Sequence, residues 1–176
     1  MSTLAHDQLD SDKPLLRLYN DDRFLRFIAY VLGKENLFRL EDPLGATSIN
    51  ICPTGTSQNW HFDEAKFTVT IMIQKPEDGG QFKLTKPIRN LKGSCSDDED
   101  FYKLIDGVLT GDQDVSSTLE FEPGTLSIFC GSVCLHKVTE TLGKKDRLVA
   151  VLCFADEAGR RNSDRVQEKF WGRIID

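Results

Sequence analysis

The clearest pattern in the chain is an alternation over Phe67–Gln74. Phe67, Val69, Ile71 and Ile73 fall on one face of an extended strand, and Thr68, Thr70, Met72 and Gln74 on the other, because successive strand side chains point to opposite sides. The apolar face belongs in a core. The Thr/Gln face either meets solvent or lines a polar cavity inside a barrel, and alternation alone leaves both open. Similar runs mark strands over Ala46–Cys52, Gln81–Leu84, Thr118–Glu122, Thr125–Cys130, Val133–Val138 and Arg147–Phe154. Turn signals separate them, at Asp42-Pro43-Leu44-Gly45, Pro53-Thr54-Gly55-Thr56, Pro76-Glu77-Asp78-Gly79-Gly80 and Pro123-Gly124. Many short strands with such punctuation predict a sandwich or barrel.

Two stretches carry helical periodicity instead. From Asn20 onward, Phe24, Phe27, Ile28, Val31 and Leu32 form one stripe. Asn20 or Asp21 can cap its start, and Gly33 suits the left-handed position past its end. In the second stretch Phe101, Leu104, Ile105, Val108 and Leu109 make the stripe and Gly111 ends it. The acidic run Ser94–Asp100 before it reads as a solvated loop whose charges lead into the first helical turn. Residues 1–19 read as polar and irregular, with His6 exposed. Residues 156–168 are polar and Arg-rich, and the aromatic tail Phe170-Trp171-Gly172-Arg173 is expected to fold back over the body. The expectation is one domain over 1–176, with its core at about 20–155, a tail at 156–176 and no internal repeat.

Composition narrows the class. The 176 residues carry a net charge of −6 and no basic stripe with interleaved aromatics, which argues against nucleic acid as the partner. No apolar run approaches the ~18 residues of a membrane span, and the polar N-terminus has no signal-peptide core. The expected setting is the cytoplasm, without membrane contact. The five cysteines, Cys52, Cys95, Cys130, Cys134 and Cys153, are odd in number and contain no CxxC pair. Four lie in apolar runs, where free cysteine behaves as a small hydrophobe. Neither a disulfide framework nor structural zinc is expected.

The candidate chemistry lies in Asn59-Trp60-His61-Phe62-Asp63. An imidazole and a carboxylate two residues apart on an extended segment share a face. They supply two of the three ligands of a 2-His-1-carboxylate triad, which holds non-haem Fe(II) and leaves positions open. Of the two other histidines, His6 lies in the irregular start. His136 lies in Val133–Val138, a strand, and is the stronger candidate for the third ligand. Arg147 follows about ten residues later at the start of the last strand. Neighbouring strands would bring all four together, and a metal beside a fixed guanidinium suits a chelating dicarboxylate.

The order HxD, about seventy residues, His, about ten residues, Arg resembles the Fe(II)- and 2-oxoglutarate-dependent dioxygenases. The likeness extends to Asp42–Ala46, Trp60–Asp63, Gln74 with Gly79-Gly80, Pro123–Leu126, Leu135–Thr139 and Arg147–Leu152, over residues 7–173. These look like the branch that acts on small molecules, which includes amino-acid hydroxylases and halogenases. The resemblance implies a mainly β, α+β fold, a double-stranded β-helix or jelly roll with two or three packing helices. It implies Fe(II), 2-oxoglutarate and O2 as cofactors. His61, Asp63 and His136 would be the metal ligands, and Arg147 would hold the 5-carboxylate of 2-oxoglutarate, with Asn50 and Thr70 in the surrounding polar wall. Halogenases of this type have Gly or Ala where this chain has Asp63, so the resemblance implies hydroxylation of a small molecule such as an amino acid. Arg89, Trp60 and Trp171 are candidates for substrate contact. A prolyl-type peptide hydroxylase and a catalytically silent jelly-roll binding domain are the other readings.

Two departures stand out. Relatives carry an N-terminal segment before the region resembling Asp7 onward, so a sheet edge would lie exposed here and invite a homodimer. Many relatives also have Ser or Thr two residues after the arginine, where this chain has Val149. The co-substrate would need its second hydrogen bond from another residue.

Overall fold

The structure is a computed structural model that describes residues 1–89, 99–113 and 115–175. In chain order the elements are β1 (Ser2–Leu4), α1 (Pro14–Asn20), α2 (Asp22–Val31), β2 (Phe38–Arg39), β3 (Thr47–Cys52), β4 (Gln58–His61), β5 (Phe67–Gln74), β6 (Asp78–Gly79), β7 (Phe82–Pro87), α3 (Glu99–Thr110), β8 (Ser116–Leu119), β9 (Leu126–Phe129), β10 (Cys134–Val138), β11 (Thr141–Leu142), β12 (Arg147–Ala155) and α4 (Asp164–Trp171). The larger sheet runs β1-β3-β12-β5-β9, with β2 also on β12. The smaller runs β4-β10-β7-β8, and β6 pairs β11. All these pairings are antiparallel. With its helices this makes an α+β fold, in agreement with the pattern of short punctuated strands.

β12 is the middle strand of the larger sheet with β5 beside it, and β5 is buried on both faces. Phe67 and Val69 join Tyr19, Ile28, Leu152 and Phe154 in a cluster that fastens α1 and α2 to the sheet. Each such side chain removed from water contributes roughly 1.5–3 kcal/mol. That packing holds the seven-residue α1, because helices this short are marginal alone. On the other face Met72 packs with Phe82, Phe121, Phe129, Val138 and Val149, side chains drawn from both sheets and the chain between them. The Thr68/Thr70 face is therefore interior, and solvent exposure of that face is ruled out.

Four expectations need correction. Residues 1–19 are ordered: β1 pairs with β3, and Pro14 opens α1 at a position where its missing N–H costs nothing. Only Leu16 and Tyr19 of α1 are buried, too few positions to register as a period. His6 is half-buried, its backbone N–H donating to Leu44 O at 2.9 Å. The stripe of α2 is rotated: Phe24, Leu25, Ile28, Ala29 and Leu32 pack inward, while Phe27 and Val31 are exposed. Its ends agree, with the Asp21 carboxylate accepting from Arg23 N and Gly33 at φ +62°. The fourth is α4, which makes four helices among the described residues against the two or three expected. Its Arg-rich sequence hides an inner edge of Val166, Gln167 and Trp171.

Polar contacts tie the tail to the body. The Asp42 carboxylate, 2% exposed, accepts from Leu44 N, Gly45 N, Asn162 N and Gln167 Nε2 at 2.7–3.3 Å. A carboxylate with that many donors is a stable buried charge. Arg173 clasps Asp7 with two bonds of 2.7 Å.

The acidic run Ser94–Asp98 and Cys95 lie outside the described residues. The other four cysteines are free thiols. Among the described residues no helix is long and apolar enough to cross a membrane.

Candidate metal centre and its cavity

His61 ends β4 and lies opposite His136 in the β4–β10 pairing. Their rings are 4.2 Å apart between centroids. Asp63 lies two residues past the strand and is anchored by its N–H, which donates to Gly131 O at 3.0 Å. Asp63 Oδ1 is 3.8 Å from His61 Nε2 and 3.4 Å from His136 Nε2. One ligand atom from each of the three lies within 4.8 Å of the others. Among the described residues this is the only such group of three or more metal-ligating side chains.

The orientation of each ligand is set by a neighbour. His61 Nδ1 is 2.7 Å from Asn59 O, and His136 Nδ1 is 2.8 Å from Cys134 O. A carbonyl only accepts, so each Nδ1 carries the hydrogen and each Nε2 presents its lone pair to the gap. Thr68 Oγ1 donates to Asp63 Oδ2 at 2.7 Å, which leaves Oδ1 facing the histidines. Gly131 provides room: a Cβ there would lie 2.7 Å from Asp63 Cγ. Phe82 and Phe129 stack about His136, with centroids 5.6 and 5.2 Å away.

The electrostatics favour a cation in the gap. Burial, aided by His136, pushes the His61 pKa down. Burial opposes the charged form of both other ligands. It is outweighed at Asp63, where His136, His61 and the Thr68 hydrogen bond hold the carboxyl below its usual range. It is outweighed at His136 too, where Asp63 raises the imidazole. The Asp63 carboxylate thus favours positive charge on the histidine side of the gap, the place a divalent ion would take in competition with a proton. Three N/O ligands of this kind on one side of a site suit a non-haem Fe(II).

The cluster opens into a cavity of about 320 Å³ whose wall includes residues of both sheets and α4. Arg147 lines it from β12 and is 3% exposed. Its Nε has no hydrogen-bond partner, and no carboxylate among the described residues pairs with it. Thr70 Oγ1, on the same wall, is also buried without a partner. Val151 of β12 is paired with Thr70 of β5, and Val149 with Asn50 of β3. Asn50 reaches the cavity while its Oδ1 accepts from Thr3 Oγ1 at 3.2 Å. Unsatisfied buried donors are costly, so a bound carboxylate fits Arg147 and Thr70. Thr70 presents a free hydroxyl on this wall, where Val149 has none.

Of the three substrate candidates, Arg89 and Trp171 line the cavity and Trp60 does not. Trp60 sits beside Lys137, whose Nζ is 4.8 Å from its ring centre. It follows Asn59 on β4, and its side chain is turned away from the face that His61 presents. Sequence reasoning missed Thr68 and Gly131 as site residues. The interior Thr face signalled the first. The second has only a weak signal, a Gly-Ser turn just before the His136 strand.

The α+β frame of antiparallel sheets, with a His-Asp-His cluster and a buried arginine beside it, is similar in fold to Fe(II)/2-oxoglutarate-dependent oxygenases. The chain belongs to the halogenase D family, HalD, whose model matches residues 1–171. Among solved structures, an oxidoreductase of the 2OG-Fe(II) oxygenase family from Burkholderia pseudomallei is similar with a TM-score of 0.60 and 18% identity, over 87% of this chain and 60% of that one. AviO1 from Streptomyces viridochromogenes gives a TM-score of 0.63 and 11% identity, over 89% and 67%. EctD from S. alaskensis, solved with 2-oxoglutarate and 5-hydroxyectoine, gives 0.55 and 16%, over 82% and 53%. At these identities the likeness is one of fold. The chain spans 60% of the length of the first of them. No curated protein matches it.

Proposed function

We propose that this protein is an Fe(II)- and 2-oxoglutarate-dependent hydroxylase of a small molecule, built on a double-stranded β-helix. The observation that carries the reading is the Asp63 carboxylate, with Oδ1 3.4 Å from His136 Nε2 and 3.8 Å from His61 Nε2. In a halogenase of this type the corresponding residue has no ligand atom, and chloride takes its place. Here Thr68 and Gly131 hold a carboxylate at that spot, which favours oxygenation even within a family named for halogenation.

His61, Asp63 and His136 would hold the iron, with both imidazoles neutral and the carboxylate ionised. Bound iron with 2-oxoglutarate and O2 supplies the oxidising power for placing oxygen on a C–H bond. Arg147 would take the distal carboxylate of 2-oxoglutarate, with Thr70 as a second donor, and so fix the co-substrate's direction toward the metal. Phe82, Phe129, Val149 and Val151 keep that end of the cavity dry. A cavity of about 320 Å³ is at the low end for ligand sites. With 2-oxoglutarate inside, it favours a small second substrate over a peptide. Four buried or half-buried free thiols accord with a cytoplasmic setting.

The test is an anaerobic titration of Fe(II) and 2-oxoglutarate, followed by the visible metal-to-ligand charge-transfer band. A band in the parent chain that His136→Ala loses is the expected result. A folded, iron-loaded chain without the band would overturn the enzyme reading and favour a silent binding domain.

A further inference from the structure

Two successive glycines, the last residue of β6 and the one after it, stand behind the buried arginine of the cavity. Gly79 and Gly80 both adopt the left-handed region, at φ +65° and +57°. Gly79 pairs with Thr141 across the short β6–β11 ribbon, and Gly80 N donates to Glu140 O at 2.8 Å. The ribbon has no slack: a Cβ at Gly79 would lie 2.0 Å from Glu140 O. In the chain β11 lies between β10, which carries His136, and β12, which opens with Arg147. The Gly80 backbone is therefore tied to the link between a metal ligand and the arginine.

Gly80 lies against the stem of Arg147. A Cβ at Gly80 would meet Arg147 Cδ and Pro76 Cγ, each at 2.9 Å, with Thr141 Oγ1 at 3.5 Å. These neighbours differ in what can yield. Pro76 is buried and its ring is rigid. The Thr141 backbone is held from two sides, donating to Thr56 O and accepting from Gly55 N, both at 2.9 Å. Arg147 Cδ belongs to a side chain with several rotatable bonds. Arg147 lines the cavity and Gly80 does not, so the arginine has room to retreat on the cavity side. A side chain at position 80 would thus be absorbed by moving the guanidinium.

We infer that Gly80 seats Arg147 and so sets the length of the 2-oxo diacid that reaches from the guanidinium to the metal ligands. Gly80 touches no ligand; it is a positioning residue that works by lacking a side chain. The inference rests on the reading of Arg147 as partner of the distal carboxylate, although the seating of Arg147 is independent of it. A ligand held at both ends fits one span between its anchors. A guanidinium pushed into the cavity shortens that span, and misplacement of an anchor by even a fraction of its reach is costly. Five carbons would then fit less well, and four would suffer less.

Gly80→Ala tests this in the full, Fe(II)-loaded chain under anaerobic conditions. The probes are 2-oxoglutarate, the four-carbon oxaloacetate and the six-carbon 2-oxoadipate. Affinity for 2-oxoglutarate should fall roughly tenfold or more. Oxaloacetate should lose less and 2-oxoadipate at least as much, so the preference for five carbons over four narrows. Fe(II) affinity without any diacid, from chelator competition, should stay at the parent's value. Gly55→Ala controls for backbone strain: Gly55 has φ +80° and a Cβ there would meet nothing within 4 Å, so it carries the left-handed cost alone and should bind all three as the parent does. Pro76→Ala in the Gly80→Ala background opens the other side of the methyl and should restore part of the 2-oxoglutarate affinity. Gly80→Asn tolerates the left-handed region, carries the same Cβ, and serves if Gly80→Ala fails to fold. The Arg147 Nε–H resonance, identified by its loss in Arg147→Met, should shift in the Gly80 variant before any ligand is added. An unmoved resonance, equal losses for the three diacids, or a parallel loss of Fe(II) would each overturn the inference. A parent chain that takes none of the diacids would sink the co-substrate reading and the length selection with it, while the resonance still decides whether Gly80 seats Arg147.

Discussion

The Asp63 carboxylate occupies the space that a side chain at Gly131 would fill. A Cβ at Gly131 would lie 2.7 Å from Asp63 Cγ and 2.8 Å from its Cβ, while Gly131 O accepts from Asp63 N at 3.0 Å. The turn before β10 and the ligand after β4 are thus one interlocked unit.

Gly131→Ala tests that interlock. The added methyl has backbone on one side and a fixed carboxylate on the other, so Asp63 must move. Overpacking of this kind costs about 1–3 kcal/mol. Fe(II) affinity should fall roughly 10–100-fold, the size expected for groups that orient a metal ligand. Competition against a calibrated chelator measures it; affinity equal to the parent's would mean that Asp63 is free to shift.

Thr68→Val keeps the shape of a 2% exposed side chain and removes the hydroxyl that donates to Asp63 Oδ2 at 2.7 Å. The carboxylate then loses a fixed orientation and rotates more freely. A metal-affinity loss of roughly 10–100-fold is expected, recovered by Thr68→Ser. The same chelator competition reads both variants.

Arg147→Met separates binding from stability. Without ligand, Arg147 is a buried cation with no paired carboxylate among the described residues, and burial pushes its pKa down. Replacing a buried uncompensated charge by an apolar group of like volume is neutral or stabilising. The ligand-free melting temperature should hold or rise. Yet 2-oxoglutarate should bind more weakly by about 2 kcal/mol or more, roughly thirtyfold in Kd. Calorimetric melts with and without 2-oxoglutarate show both; a destabilised ligand-free variant would contradict the unpaired cation.

Asp7 sets an acid-side dependence. Its hydrogen bonds from Arg173 hold its pKa below the ordinary carboxylate value. The folded chain therefore binds the proton less readily than the unfolded chain. The contribution is present above the unfolded pKa and is lost as pH falls through the folded one. Asp7→Asn should lower stability slightly at neutral pH and flatten the acid limb of a melting-temperature curve. Parallel curves for the two proteins would show that the Asp7–Arg173 clasp adds nothing.

Local pattern alone determined much of this protein. Phe67–Gln74 is a strand at its expected bounds, and its Thr face, the feature alternation left open, proves interior. The order of His61, Asp63, His136 and Arg147 was legible because metal and carboxylate chemistry restricts residue types, and because strand periodicity says which side chains share a face. Only the tertiary structure decided the rest. The seven-residue α1 and the charged α4 take their helical form from packing and from the Asp42 hub, which no local period reports. Pairing of β4 with β10 sets His61 opposite His136, and that register depends on partners about seventy residues apart in the sequence. Gly131 looks like a turn glycine and Arg89 is one of three candidates for substrate contact until the folded chain sets one against Asp63 and the other on Phe62. Periodicity records what a residue does within its own element, and these roles arise between elements.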